Sequence, residues 1–296
     1  MVTVWHRGKT LVKLLLGDPS PSTCAAREPT SSLPYDVVEM IIANLTRDLV
    51  TLKACSLTCR SWYTAAAPHL HHTLTLREDH PDVAHCELKP LSKLYELGLM
   101  PLVNEIRVSQ LHTPTGWFAP QAFSHHDLRY FSAFANVQTL VLYLVQLDHF
   151  VPDIKHYFEH FSSSLRSITI TRSRSTPRLL AYFLSLFPNL DDIELQETRW
   201  GYIPPTVMSD TELVLSSAPK MRGRLVLLHS NWVETWTHLI NAHGAPRFCR
   251  VDLRGSASCA PLLLEACAET IETLRFYATG DWVGKQSYGG TSASSS

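Results

Sequence analysis

The chain has 296 residues, 45% hydrophobic and 18% charged, with a formal net charge of -1. That length supports a sizeable core shared by a small module and a larger one, and the near-neutral balance supplies no broad field for a phosphate backbone, which argues against nucleic acid. Seven cysteines without CxxC spacing fit a reduced intracellular chain, nuclear or cytoplasmic, whose thiols act as small buried hydrophobes.

Residues 1–32 read as a flexible arm, rich in Pro, Ser, Thr and Gly from residue 17 onward. Lys13 interrupts the apolar run that begins at Leu11, and Asp18-Pro19 ends it, which is unlike a signal peptide. No uncharged apolar stretch approaches the roughly 20 residues needed to cross a bilayer. Gly8-Lys9-Thr10 ends like a phosphate loop, but Thr3 occupies the required upstream glycine position.

A helical segment is expected from Pro34 to about Pro68. Pro34 suits a first helical turn because its missing donor would be unpaired there, and Asp36 and Glu39 complement the positive helix end. Val37, Val38, Ile41, Ile42 and Leu45 recur at helical spacing and form one broad apolar face. Thr46-Arg47-Asp48 breaks this helix and Asp48 caps a second, on which Leu49, Leu52, Cys55 and Ser56 share a side. A third helix, starting near Leu57 or Thr58, carries Cys59, Trp62, Tyr63 and Ala66. Three such short helices need mutual packing for most of their order.

Leu33-Pro34, Asp36-Val37, Ile41, Leu45, Leu49, Leu52 and the run Cys55-Ser56-Leu57-Thr58-Cys59-Arg60-Ser61-Trp62 together resemble the F-box of eukaryotic, especially mushroom-type fungal, proteins. Asp36 stands where the family often has Glu, with the same sign and a shorter reach. The resemblance implies a non-catalytic adaptor that binds Skp1, and through it a cullin, in an SCF-type E3 ubiquitin ligase. On that basis Leu33, Pro34, Ile41, Leu45 and Leu52 are the Skp1-binding candidates, and no cofactor is expected. A protein-binding scaffold uncoupled from ubiquitination is the alternative.

Beyond the helices, a loose unit recurs in which an apolar residue is followed three and five positions later by two more. It starts at Val103, Val137, Leu165, Leu190, Phe248 and Ile271, with a weaker copy at Arg222 whose first position is charged. Each unit ends in strand-like alternation, and helical patterns fall between. Thr176-Pro177, the pairs Ser209 with Glu212 and Asn231 with Glu234, and the stretch 261–268 mark those helices. The pattern predicts an α/β fold: an irregular leucine-rich-repeat-like solenoid over residues 69–283, with parallel strands and outer helices, of the kind often attached to an F-box. A compact open α/β sheet is also compatible. Residues 284–296, rich in Gly and Ser, read as a flexible tail.

No catalytic or metal motif stands out. The pairs His71-His72 and His125-His126 belong to neither HExxH nor a zinc cage, and Ser256 and Ser258 lack a GxSxG turn. Alternation places Asp192 and Glu194 on an exposed sheet face, and Arg172 and Arg174 follow a strand where guanidinium forks grip carboxylates. These four are the candidates for recognising a protein substrate.

Overall fold

The computed structural model describes residues 33–77, 89–109, 130, 132–145, 147, 158–200, 219–229, 233–255 and 260–277. The arm, both capping residues Ser209 and Glu212, Asn231, His125-His126, Ser256, Ser258 and the tail lie outside them. Chain contacts divide into two compact units, Met1–Leu140 and Val141–Ser296.

The first unit opens with three helices, α1 (Tyr35–Asn44), α2 (Leu49–Ser56) and α3 (Arg60–Leu70). Both α1 and α2 pack on α3. Val38, Ile42, Leu52, Ala65 and Ala66 form a closed core, with Leu45, Cys55, Trp62 and Leu70 against it. Asp48 caps α2 as expected, accepting from the Val50 and Thr51 N–H groups at 3.1 Å each and from the Thr51 hydroxyl at 2.6 Å. The Thr51 hydroxyl bond, ahead of the backbone bonds, holds the Asp48 carboxyl below its usual pKa.

Three expectations shift. Pro34 is the N-cap rather than the first helical residue, and its carbonyl accepts from Val37 and Val38. The third helix starts later, at Arg60, because residues 57 and 58 complete a turn in which Leu57 and Thr58 donate back to Ala54 and Cys55. It also runs through Pro68 to Leu70: a proline in the last turn removes a single backbone donor, while Ala65, Ala66 and Ala67 stay buried.

Next come β1 (Thr73–Arg77), α4 (Lys89–Glu96) and β2 (Glu105–Ser109). β1 and β2 are parallel, with Leu74 beside Ile106 and Leu76 beside Val108. The sequence pattern did not reveal β1. His71 occupies the position where later units carry an apolar residue, so the first copy of the repeat is masked.

Strand β3 (Thr139–Tyr143) straddles the boundary between the units. The second continues with β4 (Ser167–Thr171), β5 (Arg174–Ser175), α5 (Pro177–Ser185), β6 (Asp192–Gln196), β7 (Arg199–Trp200), β8 (Arg224–Leu228), α6 (Val233–His243), β9 (Arg250–Arg254), α7 (Ala260–Cys267) and β10 (Thr273–Tyr277). β4, β6, β8, β9 and β10 are successive parallel neighbours. Their register aligns Ile168, Ile193, Leu225, Val251 and Leu274 in one row and Ile170, Leu195, Leu227, Leu253 and Phe276 in another. The predicted spacing therefore becomes a ladder, and all but the β10 members are buried. Three helices followed by alternating parallel strands and helices make a solenoid-like α/β fold. β5 and β7 form a separate short parallel pair.

Helix α5 starts where Thr176-Pro177 predicts it, with the Thr176 hydroxyl accepting from the Leu179 N–H. Phe158, Phe183 and Phe187 meet edge to face with centroids 5.2 to 6.2 Å apart. The weak repeat at Arg222 is resolved by a local reversal. Met221 takes a left-handed conformation at φ 44° and is itself buried, leaving Arg222 exposed.

Strand ends share one device. Leu144, Arg172, Glu197, His229 and Gly255, each just past a strand, all have φ between 46° and 63°. Each donates its N–H to the last carbonyl of the next strand, at Thr171, Gln196, Leu228, Arg254 and Tyr277. A left-handed non-glycine residue costs about 1–2 kcal/mol, which this pairing offsets. Gly255 is the one member without a side chain, and a Cβ there would lie 2.6 Å from His229 Nδ1. Gly255→Ala is expected to destabilise the protein by about 1–3 kcal/mol in thermal melts. His229→Ala in the same chain should restore part of that loss, and equal stability of single and double variants would show that the close approach contributes nothing.

Candidate functional site

The helical module keeps an unusual amount of apolar surface in solvent. On α1, Val37 and Met40 are three residues apart and share a stripe away from the buried Val38 and Ile42, and Leu33, just before the helix, is also exposed. Met40 is 65% exposed. On α2, Val50 is 80% exposed beside Leu49, and Leu57 follows at the helix end. These side chains stay exposed although the core of the module is closed.

Residues 30–77 match a family model described as F-box-like. The chain therefore carries an F-box-like domain, followed by a parallel-sheet, solenoid-like region consistent with an F-box and leucine-rich-repeat architecture. Comparison with curated proteins yields no match.

Within the F-box-like domain the docking candidates separate into three groups. Leu33 and Pro34 face solvent, Ile41 and Leu45 are half-buried, and Leu52 is fully buried at the centre of the module. Leu52 thus has no surface to offer a partner while the module stays folded. Leu49, expected to share a side of α2 with Leu52, is exposed while Leu52 is buried. Tyr35, Val37, Met40, Val50 and Leu57 are exposed without a sequence pattern that predicts it. Their apolar character gave the only signal, and periodicity alone does not say which of two apolar faces turns inward.

The thiols of the domain and of the second unit differ in environment. Cys59 is exposed at the N-cap of α3, and hydrogen bonds from Ser61 and from the Trp62 N–H hold its pKa below the ordinary thiol value. Burial pushes the Cys267 thiol up. Cys59 should react with iodoacetamide well before Cys267 in the native protein at neutral pH, read by peptide mass mapping; equal rates would contradict this.

Burial also lowers the His71 imidazole pKa from its ordinary 6.5. The unfolded chain then binds a proton the folded one resists, so stability falls as pH drops below about 6.5 and is retained above it. His71→Gln is expected to flatten that loss between about pH 7 and pH 5 in denaturant titrations followed by tryptophan fluorescence. A profile as steep as the parent's would assign the sensitivity to other groups.

The substrate-recognition candidates are largely engaged within the chain. Arg172 donates to Glu197 at 2.7 Å and to the Tyr143 hydroxyl at 3.3 Å, so its fork already grips a carboxylate; these bonds raise its pKa. Asp192 accepts from the Arg224 backbone N–H at 2.6 Å and lies against Gly223, where an added Cβ would clash with it. Glu194 accepts from Gln196. Arg174 is exposed on β5. The structure does not gather these four into one cluster.

Among the described residues no group of three His, Cys, Asp or Glu side chains is placed to hold a metal. No helix among them is long and apolar enough to cross a membrane. A pocket between Pro219, Met221, Trp236, Leu239 and His243 has a volume of about 20 Å³, room for about one water. Trp236 Nε1 and His243 Nε2, both without a hydrogen-bond partner among the described residues, are suited to hold it.

Proposed function

We propose that the chain is the substrate-recognition adaptor of an SCF-type (Skp1-cullin-F-box) ubiquitin ligase, of the mushroom-type fungal class its F-box resembles. Residues 33–68 dock Skp1, and the leucine-rich-repeat-like residues 69–283 recruit a protein substrate. The observation that carries the reading is the exposure of Leu33, Val37 and Met40 inside a segment that matches the F-box-like family. Burying these side chains under a partner supplies roughly 25 cal/mol for each Å² of apolar surface removed from water. A few well-seated side chains then dominate the affinity.

In this role the protein makes and breaks no bonds. It raises the local concentration of a substrate lysine near a ubiquitin-loaded enzyme supplied by the assembled complex. Two separate recognition surfaces on one chain suffice for that. The ligase then acts on whatever the second surface holds.

Met40→Asp places a charge on the stripe without entering the closed core. The variant is expected to keep the parent's circular dichroism and to lose Skp1 affinity by at least about tenfold in titration calorimetry. Unchanged affinity with unchanged folding would sink the docking assignment. Leu52→Asp is unsuitable for this purpose, because it puts an unpaired charge into the core and unfolds the module.

A further inference from the structure

The outward-facing positions of β8, β9 and β10 carry four arginines around one carboxylate. Arg224 and Arg250 are directly opposite in the register, Asp252 is opposite Arg275, and Arg254 is opposite Tyr277. Asp252 is buried and accepts from Arg224 at 3.0 Å, with Arg275 at 3.9 Å on its other oxygen. Asp252 alone cannot neutralise Arg224, Arg250 and Arg275. Among the described residues Arg250 has no ion-pair partner, although it faces a second cation across strands about 4.8 Å apart. Like charges opposed in this way are destabilising unless something answers them.

Three of the four guanidiniums are also held in place. Asp252 anchors Arg224 and Arg275, whose side chains remain 51% and 61% exposed, and Arg254 lies 4.2 Å over the Tyr277 ring. Arginines fixed this way lose little freedom when they bind a carboxylate in a forked, two-bond geometry. The neighbouring strand β6 presents Asp192 and Glu194 on the same face. Those carboxylates bound the positive region on one side, so it suits a short acidic run and repels a long continuous polyanion.

We propose that the outward face of β8, β9 and β10 binds an acidic peptide segment, with Arg250 and Arg275 receiving its carboxylates. This deepens the recruitment reading by naming its substrate class, and rests on that reading only for the biological role of the bound segment. Arg174 and Arg172, closer to the start of the unit, are not needed for it.

The test uses the full chain and a short fluorescent peptide of alternating Glu and Ser, followed by anisotropy without Skp1. The parent should bind it and ignore the same peptide carrying Gln in place of Glu. Binding should weaken as salt rises from about 0.01 M to about 0.15 M, where the screening length shrinks from about 30 Å to about 8 Å. Arg250→Glu should lower affinity by at least about tenfold without lowering the melting temperature, since Arg250 holds no ion pair among the described residues and the change replaces a like-charge opposition to Arg224 with an opposite-charge one. Lys53→Glu, an equal charge change on α2, should leave peptide affinity intact. Equal binding of the Glu and Gln peptides, equal loss in the Lys53→Glu and Arg250→Glu variants, or tighter binding of a single-stranded DNA oligomer than of the Glu peptide would overturn the proposal. Because Skp1 is absent from this assay and the peptide absent from the calorimetry, either reading can fail while the other stands.

Discussion

Strands β3, β4, β6, β8 and β9 are each followed by a residue in a left-handed conformation, whose N–H reaches the final carbonyl of the next strand. The rest of the unit depends on that link. It fixes the register of each strand against the next, and the register decides which side chains share a row. With the rows set, Ile168, Ile193, Leu225 and Val251 become a buried ladder, while the alternate positions become the face on which Asp192, Arg224, Arg250 and Arg275 meet. A slip by one residue would exchange core and surface along the whole strand.

The helical module answers a different constraint. Its core is small and closes on five residues, so its two short outer helices cannot bury every apolar side chain they carry. What remains outside is ordered along α1 by helical geometry and is therefore usable as a surface. Folding of the module and availability of the surface come from separate residues. Val38 and Leu52 hold the helices together, whereas Val37 and Met40 remain open to contact.

Much of the strand pattern was legible because three apolar positions per unit survive irregular spacing. All seven spaced units, including the weak one at Arg222, fall on strands. The features that escaped have specific causes. β1 was hidden by His71, a polar residue in an apolar position, and β5 and β7 are too short to show alternation. The left-handed column was invisible because Leu144, Arg172, Glu197 and His229 are not residues that signal positive φ, and the bonds compensating them connect residues distant in sequence. Apolar periodicity marked α1 and α2 but not which residues would remain outside. Likewise, Arg172 and Asp192 looked available in sequence because Glu197 and the Arg224 N–H lie far along the chain.

The left-handed column also orders how the second unit comes apart. Its links run at 3.0, 2.9, 2.8 and 2.7 Å from Leu144 to His229, and the final one, from Gly255 to Tyr277, stretches to 3.4 Å. Each link belongs to two strands, so none opens without loosening a neighbour, except at the end of the row. Among the described strands β10 is the edge of the row, and with Leu274 and Phe276 half in water fraying is expected to start there. The longest closure in the row joins β9 to β10, the strand that carries Arg275.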